Sequence, residues 1–584
     1  MKRLALLLLA IVTLCSVNLV AQVVDVAPGY GTLNAAIAAN GGNKIYQLQA
    51  GGWYGLDATL EINEPLTIRG GATTPGQMQA MIQTGSNPDG STFGVMFTVN
   101  SDITFKNVFL VNIDLNNGSG AIVMNQLQPA RVELDSVVID RMGAWILLNL
   151  VTGPGNLHIT NSLIMRHSVE TSGMYDYPFI NGASTAPFDT MYVENSTFVD
   201  IGFSFYNAMV SFQRGAEGND KFIWFNHNSF IFGKSDLLNA FYTNSTYFTN
   251  NLMWEWNIVP FSNDFGVWFK NFGDQGPANT VSCLIKADTV TSNGTPEAFP
   301  SSRKYFVAYN YNYRDPRVND IIDQGLDSGR VSYLQYLVPP ESMKDSSREA
   351  RMFNDKTNFP NFVAGENIED QEGIDPNFTS SLIYTLTDSA LAWADAAAKQ
   401  IWNFPTGTYP PPAEWARYYI KLDTADGNPT TWPRFDGTYS NAQLMAGSIE
   451  GLPLGDLNWF PTEKAIWKTK QAEAMEHILN LDLTPLTGVK ELNNPLPTAY
   501  ALLQNYPNPF NPSTEISYSL PRSGMVTLRV YNLLGQEVAT LVNQDQSAGS
   551  YSVDFNPKGL ASGVYIYRLQ AGNIAMTKSM ILLK

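Results

Sequence analysis

Ile103-Thr-Phe-Lys-Asn-Val-Phe-Leu110 is a phrase that this sequence repeats: apolar, any, apolar, polar, Asn, small, apolar, apolar. It returns as Leu157-His-Ile-Thr-Asn-Ser-Leu-Ile164 and as Met191-Tyr-Val-Glu-Asn-Ser-Thr-Phe198. Val132-Glu-Leu-Asp-Ser-Val-Val-Ile139 is the same phrase with Ser136 in the Asn slot. Looser copies run from Trp224 to Ile231 and from Thr246 to Met253, with Asn228 and Asn250 in the slot, and another candidate lies at Phe306 to Tyr313. Each copy supplies short strands whose alternate side chains are apolar. One turn cannot bury that face alone, whereas stacked turns share a core. The phrase therefore predicts a coil of parallel strands stacked ~4.8 Å apart. Asn suits the bend, because it tolerates the left-handed conformation and its amide can bond to the slot residue one turn away. An antiparallel sandwich is the alternative, but it does not need one polar residue at the same phase of every strand.

Working outward, Thr32 to Ala39 reads as a short amphipathic helix that caps the first turn. Lys44-Ile-Tyr-Gln-Leu-Gln, Gly51-Gly-Trp-Tyr and Leu60-Glu-Ile-Asn-Glu-Pro-Leu-Thr-Ile-Arg-Gly70 follow. This order resembles the opening of the pectate-lyase-like right-handed β-helix superfamily. The resemblance covers roughly residues 30–335 and implies fold more than activity. The expected coil spans 22–335. From 336 to 490 the repeat fades, and a partly helical C-terminal cap is expected. Ser389 to Trp402, Glu414 to Leu422 and Thr462 to Leu479 have helical spacing. Asp375-Pro-Asn-Phe378 and Gly455-Asp-Leu-Asn-Trp-Phe460 look like closing phrases of β-helix domains in other secreted proteins.

The ends carry addresses. Lys2, Arg3 and the apolar run Leu4 to Leu14 read as a signal peptide, residues 1–21, cleaved after Ala21. A lipoprotein signal with Cys15 fits less well, because Leu14 precedes the cysteine. No later stretch has the ~18 uninterrupted apolar residues of a membrane span. The 584-residue chain has a formal charge of −17, and losing Lys2 and Arg3 leaves −19. That acidity argues against nucleic acid as a partner. Cys283 is then the only cysteine, so no internal disulfide is expected.

After a linker at 491–500 comes Tyr506, Pro507, Asn508, Pro509, Phe510, Asn511, Pro512, then Ser513-Thr514. Alternating segments bounded by Gly524, Gly535, Gly549, Gly563 and Gly572 predict a small antiparallel, Ig-like β-sandwich over 501–584. With Tyr531-Asn-Leu-Leu-Gly-Gln-Glu-Val538, Leu560-Ala-Ser-Gly-Val-Tyr-Ile-Tyr567 and Lys584, this tail resembles the type A C-terminal sorting domain of the type IX secretion system. The resemblance implies that the secretion machinery is a partner, and that the chain is secreted or held at the outer cell surface.

Chemistry is less legible. Five residues after each slot stand Asn112, Arg141, Arg166, Asp200, Gly233 and Glu255, with Asp140 and His167 beside the arginines. In register, Arg141 and Arg166 lie on consecutive turns, where they repel unless an anion sits between them. A uronate carboxylate fits that place, as does Asp140 or Asp200. In a lyase reading Arg141 and Arg166 are catalytic. Asp140, His167, Asp200 and Glu255 then bind substrate, with Ca²⁺ on Asp140 and Asp200. The plain alternative is a solvated ladder of salt bridges. The signatures of pectate lyases, polygalacturonases and pectin methylesterases are missing. The four histidines are scattered, so no zinc site is expected. Asp423-Thr-Ala-Asp-Gly-Asn428 reads as a surface turn. Trp224, Trp254, Trp256 and Trp268 are expected mainly in the core. Two functions follow: a glycan-associated protein that binds or eliminates acidic polysaccharide, or a non-catalytic structural or adhesive envelope protein.

Overall fold

The computed structural model describes residues 21–486 and 490–582, except 75–76, 115–121, 141–145, 168–178, 183–185, 202–204, 208–219, 234–236, 240–242, 257–284, 287–301, 314, 316, 318–352, 371–373, 382, 385–386, 389–434, 493–499, 506–507, 509, 511–513, 547–548, 556, 558–559 and 573. Two compact units emerge, one ending at Leu483 and the other made of Thr484–Lys584 together with Ile449–Gly451.

The first unit is a parallel β-helix. Each full turn gives one strand to each of three sheets, and successive turns pair in parallel. The first sheet has 11 strands, running from Gln22–Val26 to Phe362–Gly365; the second has 8, from Leu60–Ile62 to Ile285–Lys286; the third has 10, from Trp53–Gly55 to Ile368–Asp370. Helix α1, Thr32–Asn40, buries Leu33 and Ile37 over the first turns. Inward positions align in columns because the pairing register repeats. One column runs Leu134, Ile159, Val193, Phe225, Phe248, Val307, all fully buried. Phe198 stacks on Phe230 at 5.2 Å, one turn apart. The coil fills its interior with such columns.

The slot is a left-handed bend between the first and third sheets. Asn107, Ser136, Asn161, Asn195 and Asn250 all have φ between 48° and 58°. Two corrections apply. In the turn read as centred on Asn228, His227 takes the bend, with φ 53°. The ladder also lies one residue later than the slot. Ser162, Ser196, Asn228, Asn251, Asn310 and Asn367 each accept, on a side-chain oxygen, a backbone N–H from the turn before. The asparagine amides donate back to Val193, Phe225, Phe248 and Val307 carbonyls. The bend itself interrupts the strand pairing, so these side chains replace ladder bonds that the backbone cannot make.

The coil outlasts its expected end at 335. Phe362–Gly365 and Ile368–Asp370 add a further turn, with Glu366 in the bend and Asn367 in the ladder. A long insertion separates this turn from Tyr309 and Asn310, which hid its phase. The described residues of 374–388, with 435–448 and 452–460, then pack on the outer face of the third sheet. Met165, Val199, Ile231, Trp254 and Tyr313 share a cluster there with Phe378, Ile383, Phe435, Tyr439, Leu454 and Phe460. Helix α2, Pro461–Leu479, is the helix expected at Thr462 to Leu479. It buries Trp467, Ala474 and Ile478, a stripe at helical spacing. The other two expected helices, at 389–402 and 414–422, lie outside the described residues. No described helix is long and apolar enough to cross a membrane.

The second unit has two four-stranded antiparallel sheets around one core that includes Ile516, Leu528, Val530, Val553, Tyr567 and Leu582. Its edge strand Lys490–Leu492 pairs with Gly549–Phe555, so the unit begins before the expected linker at 491–500. Of the proline-rich motif, Asn508 and Phe510 are described. Asn508 Oδ1 accepts from Ile581 N at 2.9 Å, and Phe510 is buried against Phe555.

Candidate functional site

The outward face of the first sheet divides into an open part and a covered part. On Arg131–Asp135, Gly155–Thr160 and Phe188–Glu194, inward residues alternate with Arg131, Glu133, Asp135, Asn156, His158, Thr160 and Tyr192, which are half-buried or exposed. Arg131 pairs with Glu133 at 2.9 Å, and Lys106 with Asp135 at 2.7 Å. Burial pushes the Asp135 carboxyl up, but Lys106 foremost, with Asn161 Nδ2 and Thr160 Oγ1 also donating, holds it below the usual range. His158 stacks on Tyr192, ring centroids 5.6 Å apart, and Tyr192 stacks on Trp224 at 6.0 Å. Trp224 and Tyr247 continue the row, but both are buried. The strip is therefore a ladder of rings that starts half-buried at His158, opposite Glu133 on the turn before, and ends under cover.

Helix α2 and its lead-in supply part of that cover. Gln471 Nε2 donates to Glu194 Oε2 at 2.9 Å, and Trp467 meets the His227 ring edge-on at 6.0 Å. Glu194 is only 3% exposed. It also accepts from Tyr192 Oη, Trp224 Nε1 and Asn226 Nδ2. Burial raises its pKa, and these donors oppose the rise. Tyr192 is pushed well up by burial and by the neighbouring Glu194.

The Gly455–Phe460 phrase is the clasp. Asp456, 2% exposed, accepts from Thr197 Oγ1 at 2.7 Å and from Asn458 N at 2.8 Å. Its own N–H donates to Ser229 Oγ at 2.9 Å. Gly455, φ 79°, makes this possible, since a Cβ there would lie 2.5 Å from Ser229 Oγ. Trp459 Nε1 donates to Thr197 Oγ1, Asn458 Nδ2 to the Asn195 carbonyl, and Lys464 Nζ to Asn161 Oδ1.

Two titrations of opposite sign follow. Burial, the larger cause, and Arg131 lower His158 to about 4. Between that value and the ordinary ~6.5 the unfolded chain binds more protons, so its stabilisation is lost as pH falls; partial exposure limits it to about 2 kcal/mol. Burial raises Asp456 to about 6. Between the ordinary ~3.8 and that value the folded chain binds more protons, so stability falls by about 3 kcal/mol as pH rises. Relative to wild type, Asp456→Asn is expected to gain stability from pH 4.5 to 7, and His158→Gln to lose it. Thermal melts at the two pH values check this, and slopes of the same sign for both variants would refute the assignment.

Of the catalytic and substrate-binding candidates singled out from the sequence, two have described side chains, Asp140 and Glu255. Arg141 lies outside the described residues. Arg166, His167 and Asp200 fall on the strands Leu163–His167 and Thr197–Ile201, which pair with one another; their side chains are not described. Asp140 and Glu255 are 0% and 1% exposed. Glu255 Oε1 accepts from Asp315 N at 2.8 Å, beside the pair Arg317–Asp315. These two carboxylates are thus interior groups rather than the walls of an open groove. Among the described residues no group of three or more His, Cys, Asp or Glu is placed to hold a metal ion. Trp224 and Trp254 are buried as expected, but on outer faces rather than inside the coil: their neighbours Ile223, Phe225 and Met253 point inward. Trp256 has no described side chain, and Trp268 lies outside the described residues. His158, Tyr192 and Glu194 were missed. They occupy the second and fourth positions of the repeated phrase, which read as filler between core residues.

Residues 504–583 match the family model described as the secretion system C-terminal sorting domain. The tail thus marks the chain for export and places it at the cell surface or in the medium, with the secretion machinery as its partner. No curated protein matches the chain. Among solved structures, the PL6 family alginate lyase AlyGC is similar at 16% identity and a TM-score of 0.24, over 40% of this chain and 36% of that one.

Proposed function

We propose that this exported β-helix binds an acidic polysaccharide along the open strip of its first sheet. The observation that supports the reading is the half-buried ring pair His158–Tyr192 on successive turns, with Arg131 on the turn before His158. Ring faces suit the apolar face of a sugar, and guanidinium suits a uronate carboxylate. Arg131 and Lys106 are already paired with Glu133 and Asp135, so an acidic sugar exchanges one carboxylate partner for another. His158 is neutral near pH 7, which makes it a stacking group there rather than a cation. Ca²⁺ enters only if the bound sugar recruits it.

Affinity electrophoresis of the full chain against uronate-containing polysaccharides, with and without Ca²⁺, tests the reading. Arg131→Ala and His158→Ala are each expected to weaken binding about tenfold, equivalent to ~1.4 kcal/mol. Absorbance of an unsaturated product would extend the reading to a lyase. Retention by no acidic polysaccharide, or undiminished retention of both variants, would remove it.

A further inference from the structure

We propose that Leu533 and Leu534, at the tip of a hairpin in the sorting tail, form the contact through which an export receptor grips the tail with an apolar cleft. The tip joins strands Gly524–Tyr531 and Glu537–Gln546, which bury Val526, Leu528, Val530 and Val542 in the tail's core. Leu533 is 70% exposed and Leu534 83%, the two highest values for large apolar side chains among the described residues.

The turn does not need them. Asn532 N donates to the Gln536 carbonyl and Gly535 N to the Asn532 carbonyl, both at 3.0 Å. Asn532 Oδ1 accepts from Leu534 N and Gln536 N at 3.0 Å, and its Nδ2 donates to Gln536 Oε1 at 2.8 Å. Gly535 supplies the positive φ of 78°. Asn532, Gly535 and Gln536 therefore fix the backbone, and polar residues would serve equally well between them. Two leucines on a backbone fixed by these bonds instead present an apolar contact, with little backbone ordering cost left for binding.

Charge selects the partner. The nearest cation on the hairpin, Arg529, is engaged with Glu537 at 3.4 Å. A membrane-binding element carries a broad apolar face edged by free cations. This tip is two side chains wide with a neutral base, a shape for a cleft in a protein. The tip falls within residues 504–583, the part of the chain that matches a sorting domain, and a sorting domain acts by being recognised. The inference is independent of what the coil binds.

The test uses the full chain in a host with a type IX secretion system. Leu533→Ser combined with Leu534→Ser is expected to leave the tail's melting temperature unchanged. Protein at the surface and in the medium should fall about tenfold or more, the scale of a lost anchoring contact, with matching accumulation in the periplasm. Met525→Ser, on the same hairpin and 48% exposed, should be exported normally. A photo-crosslinking residue at 534 should capture an envelope protein, and one at 525 should not. This arm stands even if the double variant misfolds. Normal export of the folded double variant, or crosslinking at 534 to lipid or to nothing, would overturn the proposal.

Discussion

Replacing Asn310 with leucine is expected to destabilise the coil by about 2–4 kcal/mol. Asn310 is fully buried and sits mid-ladder. Its Oδ1 accepts from Asn251 N at 2.9 Å and Asn251 Nδ2 at 3.0 Å. Its Nδ2 donates to the carbonyls of Phe248 and Ala308 and to Asn367 Oδ1, between 2.9 and 3.0 Å. Leucine fills the space, leaves Asn251 N without its acceptor, and takes one donor each from the Phe248 and Ala308 carbonyls, while Asn367 Oδ1 keeps the Asn310 N–H and Asn251 Nδ2 keeps the Phe225 carbonyl. Each such group costs about 1–3 kcal/mol, far more than the apolar burial of one side chain that was already inside returns. Asn310→Ser is the informative control. Ser162 and Ser196 hold the same ladder position earlier in the coil and accept the N–H of the preceding turn at 3.1 and 3.2 Å. Serine should therefore recover roughly half the loss. Denaturant melts of the two variants decide the matter; equal stability would mean that the ladder bonds contribute nothing.

Trp254→Ala is expected to cost about 3–5 kcal/mol and to free the segment that covers the third sheet. Trp254 stacks on Tyr313 at 4.1 Å within the coil and meets Phe378 and Tyr384 edge-on at 5.3 and 6.0 Å. Its Nε1 donates to Thr387 Oγ1 at 3.1 Å. One side chain thus joins a strand of the coil to three residues of the covering segment. Removing it leaves a large cavity and a buried hydroxyl short of a partner. Limited proteolysis should show new cleavage between 374 and 388 in the alanine variant, with the coil strands still protected. Trp254→Phe keeps the stack but not the hydrogen bond, and should lie between the two. An unchanged cleavage pattern in the alanine variant would show that the clasp at Asp456 suffices to hold the segment.

The coil was legible because its phrase returns at constant phase, and only stacked turns require that. The exact bend residue was not. Asn226, His227 and Asn228 offer two asparagines around the bend, and Asn250 and Asn251 are adjacent, so the sequence leaves open which of each takes the left-handed conformation and which enters the ladder. The covering of the outer faces was hidden for another reason. In Ile223-Trp-Phe-Asn and Ser229-Phe-Ile-Phe-Gly233, inward and outward positions are both apolar. Such a run reads as a strand buried on both sides without saying what buries the second. The candidate strip is obscured because His158 and Tyr192 alternate with core residues inside the phrase, whereas the arginines stand beyond its end. The tail was the most readable part, since its proline-rich phrase and glycine-spaced strands agree on one small sandwich.

The clasp has a consequence for how such a coil can change over time. A bare solenoid gains or loses turns cheaply, because each turn touches only its neighbours. Here Lys464 reaches Asn161, 303 residues back, and Asp456 reaches Thr197 and Ser229. Inserting or deleting a turn between two of these anchors would slide one against the other by a strand spacing, so the clasp could no longer reach both. The early turns, from Lys44 to Lys106, carry no such strap among the described residues. Growth and shrinkage of the repeat are therefore free toward the amino end and locked over the middle, which makes the clasp a ruler for the number of turns it spans.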